Sequence, residues 1–586
     1  MNATLTSPFS LTALLLLATV SLPLLLALLL FPQRLRSTIE MLTPWAALPA
    51  LGLALWCDPG MVVNVPGFLL GARFGVDTTA QVFLLFTSLL WISAGAYARA
   101  YLRADSTSPR FFGFFLATMG GNIGLILAQD MISFYLFFTL MSFAAYGLVI
   151  HDGSHDARYA GKVYLSLAVF GEALLIPGML LIAHATNTTD LSSIAAGVAK
   201  APTRNLIIVL LLAGFGIKAG ALPLHVWLPL AHPVAPTPAS AVLSGAMIKA
   251  GLLGWLRFLP LGETALPGWS SLCMVAGLIA AFYGVIVGLT QDNPKTVLAY
   301  SSISQMGFMT VGVGIGFSAP DAWPGTLTAI VLYALHHGLA KGALFLGGGV
   351  ARSANQEGWR KRLIFVGLVL PALALAGAPL TSGAVAKLAL KSVSVFPPAP
   401  WPSWILNVLP LAAVGTTLLM GRFLLLLRSA TDAHGPQLTL RLWAPWAALI
   451  IGVYSLPWFF TSDTAGKTFM KTLSFSNLWP VLIGSLLSWT AWHWRDMAKK
   501  LVVRIPPGDL LSGIAWLWTH CQRIFRPLHA TGTARQSLSR SLQELRQKLY
   551  SSLPLPRLEE WLATWTSAGI FFLALLIAAF SLLALQ

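Results

Sequence analysis

Apolar runs long enough to cross a bilayer recur from one end of this sequence to the other, separated by short polar interruptions. Sixteen can be drawn, at 9–31, 43–57, 79–97, 111–128, 131–150, 162–184, 205–222, 238–259, 268–290, 295–316, 326–350, 362–392, 404–427, 441–460, 477–495 and 565–585. A helix of about 20 apolar residues spans the ~30 Å hydrocarbon layer. Inside lipid the backbone must satisfy its own polar groups, which favours helices. The pattern therefore predicts an all-α polytopic membrane protein of about 16 transmembrane helices. The run at 43–57 is short for a span. The run at 9–31 lacks the basic flank of a signal peptide and reads as a retained first helix.

Loop charge tests the count. With the first terminus outside, loops after odd-numbered runs face the cytoplasm. At or beside them lie Arg34, Arg36, Arg99, Arg103, Arg110, Arg158, Lys162, Lys295, Arg352, Arg360, Lys361, Arg362, Arg428 and Arg441. The other loops hold only Arg73, Lys200, Arg204, Arg257, Lys391, Lys467 and Lys471. This asymmetry supports an even number of spans with both ends outside.

Composition agrees. The chain has 586 residues, 56% hydrophobic and 10% charged, against about 25% charged in a soluble domain. The net charge of +17 is explained by basic cytoplasmic loops and does not imply nucleic acid, since no basic motif with interleaved aromatics is present. Cys57, Cys273 and Cys521 are far apart, so neither a metal cluster nor a disulfide framework is expected. No glycine-rich phosphate loop sits in a strand–turn–helix context, so no nucleotide or other cofactor is expected.

The stretch 495–560 departs from the apolar pattern. It is basic, and within it 537–549 reads as an amphipathic helix with Leu538, Leu542, Leu545 and Leu549 on one face. Such a helix lies on a membrane surface or along a partner protein.

Ionisable residues inside spans are costly, and they mark function more often than not. Here they gather in the middle of the chain: Glu172, Lys218, Lys249, His336, His337, Lys341 and Lys387, with His225 and His232 flanking a loop. The two loop histidines could equally cap backbone groups. Arg257 and Lys391 lie near span ends, where long side chains snorkel to the interface. His337 and Lys341, four residues apart, share a helix face.

Two runs are interrupted. Lys218 is followed by Pro223, and Pro379 and Gly383 precede Lys387. Broken helices are tolerated where they line a cavity, and a lysine beside each break points to equivalent positions in two inverted repeats. A lysine withdrawn from water is destabilised as a cation, which suits it to exchange a proton.

Three phrases carry a family resemblance. HPVAPTPASAVLSGAMIKAG (His232 to Gly251) resembles the element HxxAPTPxSAxLxxxxxKxG of the antiporter-like family shared by respiratory complex I, Mrp-type antiporters and membrane-bound hydrogenases. QDNPKTVLAYSSISQMGFM resembles its QxDxKxxLAYSSISQxGxM, with Asn293 in place of an acid. GAPLTSGAVAKL resembles GxPxxxGFxxK, with Ala384 in place of an aromatic. The wording around His232, the 16 runs and the late basic stretch look most like the hydrogenase-4 and formate hydrogenlyase branch.

The resemblance implies two inverted five-helix repeats, two broken helices and a lateral amphipathic helix. It divides the chain into N-terminal helices (1–110), a first repeat (111–259), a second repeat (268–427), additional helices (428–496), a basic lateral segment (497–560) and a final helix (561–586). It implies that Lys218 is the central lysine and that Lys249 links an inlet half-channel to the centre. His336, His337 and Lys341 would be linking groups, and Lys387 the terminal residue. The family usually has a glutamate where this sequence has Thr139, in FFTLMS. That departure puts the usual form of proton pumping in question, with Glu172 as a candidate substitute.

The expectation is a proton-translocating subunit in a bacterial inner membrane, assembled with other membrane and peripheral subunits of a hydrogenase or complex I-like assembly. Redox chemistry would lie in those partners. The alternatives are an Mrp-type cation/proton antiporter subunit, the membrane half of an inorganic-carbon uptake complex, and a scaffold that no longer conducts.

Overall fold

The computed structural model describes residues 4–5, 11–69, 71–352, 358–429, 440–459, 470–494 and 505–511. In chain order the helices are α1 (Leu11–Leu28), α2 (Arg36–Leu42), α3 (Leu48–Trp56), α4 (Thr78–Tyr101), α5 (Ser108–Leu127), α6 (Met131–Val149), α7 (His155–Thr186), α8 (Leu191–Lys200), α9 (Arg204–Ala219) and α10 (Trp227–Val234). They continue as α11 (Thr237–Val242), α12 (Ile248–Phe258), α13 (Pro267–Leu289), α14 (Pro294–Ser318), α15 (Trp323–Ala351), α16 (Trp359–Ala376), α17 (Ser382–Val393), α18 (Trp401–Ser429), α19 (Leu440–Phe459) and α20 (Phe475–His493). The chain divides into two units, Met1–Leu30 with Arg34–Pro507, and Phe31–Gln33 with Gly508–Gln586. All twenty helices lie in the first. The amphipathic stretch 537–549 and the last apolar run, 565–585, lie outside the described residues.

Nine helical stretches among the described residues are long and apolar enough to cross a membrane. They are Gln33–Trp56, Thr78–Tyr101, Ser108–Leu127, Met131–Val149, His155–Thr186, Thr237–Phe258, Pro267–Leu289, Pro320–Ala351 and Trp401–Arg428. Each corresponds to one of the predicted runs. The seventh and twelfth runs are helices broken as expected; α9, α10 and α17 are too short to qualify alone, and α16 carries three basic residues in its first turn. The protein is thus a polytopic integral membrane protein.

Two expectations need correction. The second span begins at Gln33, ten residues before the apolar run at 43–57, because α2 carries the charged stretch RSTIEML and a 3-10 turn joins it to α3. The chain is also not all-α. β2 (Met61–Val65) pairs antiparallel with β3 (Ala72–Val76), and β1 (Thr4–Leu5) pairs parallel with β2. The alternation in MVVNV and ARFGV is too short to stand out between long apolar runs.

The first helix break falls at Gly220, which takes φ +68° to end α9. The second falls at Gly377, at φ +86°, ending α16. Both glycines adopt the left-handed conformation that closes helices and that side chains resist. Thr381 restarts the second broken helix by accepting the Ala384 N–H.

Close approach between helices rests on small residues, as it does generally in membranes. A Cβ on Gly251 of α12 would sit 2.5 Å from the Ala219 nitrogen and the Phe215 carbonyl oxygen of α9. Gly251→Ala is therefore expected to destabilise the protein by about 1–3 kcal/mol, as overpacking does. A lowered midpoint of thermal unfolding in detergent checks this; an unchanged midpoint would show that α9 and α12 part freely.

α15 lies at the centre, with its apolar stretch wholly inside the protein, whereas most of the apolar stretch of α7 faces outward.

Candidate functional site: three buried polar centres

The first centre lies between α6, α7 and α9. Gly171 and Gly214 bring α7 and α9 together, a Cβ on either standing 3.2 Å from the other's carbonyl oxygen. Glu172 and Lys218 are both buried there and within electrostatic reach of each other. The Lys218 ammonium donates to the Tyr164 hydroxyl at 2.8 Å, and that hydroxyl donates to the Ser142 carbonyl at 2.6 Å. The Thr139 hydroxyl donates to Glu172 Oε2 at 2.9 Å. The threonine that replaces the family acid thus holds another acid, supplied by the next helix. Lys218 occupies the last turn of α9, where the helix dipole favours a cation.

Trp227 Nε1 donates to the Ile217 carbonyl at 2.7 Å, so the restarted helix α10 caps the broken end of α9. Trp227→Phe removes that donor and leaves the carbonyl buried. A loss of about 1 kcal/mol of stability is expected, with reduced transport as Lys218 loosens. Unchanged melting and unchanged transport would show that the tether is dispensable.

The second centre is built on α12 and α15. A π-helical turn, Leu243–Met247, precedes α12, and Ile248 N–H reaches back to the Leu243 carbonyl. π-turns recur at functional sites. Here the Lys249 ammonium takes up the Ser244 carbonyl at 2.5 Å. Gly245 and Gly338 let the turn approach α15, since a Cβ on Gly245 would sit 3.0 Å from the Gly338 carbonyl oxygen. Lys249 therefore lies within electrostatic reach of His337 and Lys341, and Lys341 donates to the Leu298 carbonyl at 2.7 Å. His232 is fully buried, stacks on Phe345 at 4.7 Å and is within reach of Lys249 and Lys341. Neither of its ring nitrogens has a hydrogen-bond partner among the described residues, so it does not cap backbone groups. His225, also buried, packs its ring edge-on against Tyr283 at 5.1 Å.

The third centre closes the second helix break. His336 Nδ1 and the Ser382 hydroxyl are 2.7 Å apart. Gly383 packs so tightly that a Cβ there would sit 1.8 Å from the Ala374 carbonyl oxygen. The Lys387 ammonium donates to the carbonyls of Leu375, at 3.3 Å, and Ala376, at 2.6 Å, the last residues of α16. It also lies 5.8 Å from the Phe308 ring centroid and lines a cavity of about 60 Å³.

The two break lysines are not equivalent in position, as the sequence had implied. Lys218 sits on the half-helix before its break, while Lys387 sits after its break and caps the half-helix preceding it. The charged neighbours of Lys249 are on α15. The neighbourhoods run from Glu172 and Lys218, through Lys249 with His232, His337 and Lys341, to His336 and Lys387.

Tyr164 is the residue that sequence reasoning missed. It lies eight residues before Glu172, on the same face of α7, which was a legible signal. The Ser244 and Ser302 hydroxyls, 2.8 Å apart, and the Ser382 hydroxyl carried none, because single hydroxyls are common in spans. Arg257 does not snorkel; it pairs with Asp77, the N-cap of α4. Burial alone would raise the Asp77 carboxyl, but the Arg257 guanidinium and the cap hydrogen bond hold it below its usual range. Among the described residues no group of three or more His, Cys, Asp or Glu could hold a metal ion.

Residues 128–406 match a family model described as NADH:quinone oxidoreductase/Mrp antiporter, TM. The chain is 32% identical over 284 residues to hydrogenase-4 component B of Escherichia coli (strain K12), covering 47% of this chain and 42% of that protein. It is 32% identical over 341 residues to the putative antiporter subunit mnhA2 of Staphylococcus saprophyticus, covering 54% and 42% respectively. The matched region thus spans less than half the length of these curated relatives. Among solved structures, that of the Mrp complex from Dietzia sp. DQ12-45-1b superposes with TM-score 0.71 at 22% identity, over 93% of this chain and 63% of that one. The membrane-bound sulfane sulfur reductase, an archaeal respiratory membrane complex, gives TM-score 0.61 at 19% identity, over 80% and 99%. Those two likenesses speak for the fold. Together with the three quoted motifs, all of which lie within 128–406, these matches show that the chain carries, over that region, an antiporter-like membrane fold similar to proteins of the complex I, Mrp and hydrogenase kind.

Proposed function

We propose that this chain is the proton-translocating membrane subunit of a hydrogenase-linked complex, of the hydrogenase-4 or formate hydrogenlyase type, or of a closely related NADH dehydrogenase-like assembly, in a bacterial inner membrane. The observation that carries this reading is the succession of buried titratable groups from Glu172 to Lys387, which meets both helix breaks and passes through the central helix α15. Protons would move by way of Glu172 and Lys218, then Lys249, His232, His337 and Lys341, then His336 and Lys387, with His225 beside the path. Sixteen spans arranged as two inverted repeats belong to this proposal. Chemistry on bonds would be left to partner subunits, and redox free energy released there would drive the transfer.

The similarity to hydrogenase-4 component B supports the hydrogenase branch. The similarity to mnhA2 supports a second reading, an Mrp-type cation/proton antiporter subunit. A hard cation such as Na⁺ prefers several oxygen ligands. Glu172 is the one carboxylate in the buried series among the described residues, and that composition favours the proton. A scaffold that has lost conduction accords less well with Glu172, because an acid still faces Lys218.

The test is isolation of the tagged full chain from its host in mild detergent, followed by mass spectrometry of the proteins that accompany it. Hydrogenase-like large and small subunits with ferredoxin-type proteins support the first reading. Small Mrp-like membrane subunits alone would replace it with the second, and a lone soluble partner without redox cofactors would point to carbon uptake. Deleting 537–549 is expected to loosen the complex in the same preparation; full retention of partners would show that this stretch is no clamp.

A further inference from the structure

Lys295 and Arg352 converge on one cavity at the ends of two helices. Lys295 is the second residue of α14 and Arg352 follows the last residue of α15. Both line a space bounded by Thr237, Leu344, Phe345, Gly348 and Phe423. They lie within electrostatic reach of each other, and no carboxylate lines the cavity among the described residues. The nearby Asp292 is engaged by Arg422 at 2.8 Å. Lys295 gives one donor to the Ala235 carbonyl at 2.6 Å, which leaves two of its three unspent among the described residues. The Arg352 guanidinium has no hydrogen-bond partner among the described residues.

Two cations side by side without a counter-ion repel each other, and the repulsion is strongest where water is scarce. An oxyanion relieves it. The arginine fork suits two oxygens of a phosphate, and the lysine supplies a point charge beside it. The depth fits as well. Span ends lie at headgroup level, and beneath the charges the walls are Leu298, Leu344, Phe345 and Leu427, which suit an acyl chain. Basic pockets between membrane helices take lipid headgroups elsewhere.

We propose that this cavity binds a phosphate-type oxyanion, presented by an anionic phospholipid or as free phosphate. The site borders the buried series assigned to proton movement, since Phe345 lines it and stacks on His232, which lies within electrostatic reach of Lys295.

Glycine at 348 leaves the space open. A Cβ there meets only Phe423, at 3.8 Å, so a larger side chain enters the cavity without striking backbone. The full chain, with whatever partners it retains, is purified in neutral detergent. Its thermal unfolding is titrated with phosphatidylglycerol, phosphatidylcholine and inorganic phosphate at fixed ionic strength. Phosphatidylglycerol is expected to raise the midpoint at concentrations where phosphatidylcholine does not. Arg352→Gln is expected to raise the half-maximal concentration about tenfold or more, in keeping with the loss of charge-assisted hydrogen bonds. Gly348→Leu should abolish the shift while keeping both charges. An equal shift with inorganic phosphate alone identifies the free anion as the source, and a shift that needs the lipid identifies the headgroup. No shift beyond that of phosphatidylcholine, or the same shift in both variants as in the parent, overturns the proposal.

Discussion

Lys218→Ala is expected to abolish proton-linked activity while leaving the protein assembled. The lysine makes one side-chain hydrogen bond, to Tyr164, and that hydroxyl keeps its own bond to the Ser142 carbonyl when the lysine is gone. Little of the scaffold depends on the ammonium. Removing it leaves a small space beside Trp227 and ends the burial of a cation, which is itself costly. The relay, by contrast, loses the group that faces Glu172 at the first break, and the neighbouring Tyr164 hydroxyl, which ordinarily titrates at about pH 10, does not exchange its proton at neutral pH in the lysine's place. Dye-reported acidification of membrane vesicles should fall to background, with partner recovery and thermal midpoint close to those of the parent. Activity unchanged in Lys218→Ala would end the relay model. Loss of both activity and assembly would instead make Lys218 a structural residue.

Glu172→Gln is expected to lower proton-linked activity by about tenfold or more, and Thr139→Glu to restore part of it in the same background. The reasoning rests on the Thr139–Glu172 hydrogen bond at 2.9 Å. Those two side chains touch, so an acid at either position presents its charge to much the same space in front of Lys218. Glutamine keeps the shape and accepts the threonine hydroxyl, so packing survives and only the charge is lost. A charge interaction of about 1.4 kcal/mol corresponds to a tenfold change. Rescue from position 139 separates an electrostatic role from a structural one, because a purely structural Glu172 has no reason to be replaced by an acid on another helix. If Glu172→Gln behaves like the parent, Glu172 merely satisfies the Thr139 hydroxyl, and the non-conducting reading gains.

The sequence by itself determined the membrane character, most helix positions, both breaks and the identity of nearly every buried charge. The physical reason is cost. Apolar runs of span length and ionisable groups within them are improbable unless the bilayer and a function require them, so they are legible one residue at a time. Gly220 and Gly377 were likewise foreshadowed by the prolines and glycines around them. What the sequence could not determine was which of these groups meet. That Thr139 holds Glu172, that a π-turn aims Lys249 at its own helix and towards α15, and that Lys387 caps the helix before it all depend on how closely helices approach. Those approaches are set by pairs of glycines far apart in the chain, such as Gly171 with Gly214 and Gly245 with Gly338. The hairpin of β2 and β3 escaped notice for a related reason, since five-residue strands carry too little periodicity to compete with neighbouring spans. The tertiary structure alone also brought Lys295 and Arg352, read along the chain as ordinary loop charges, into one cavity, because the ends of α14 and α15 meet only in the folded chain.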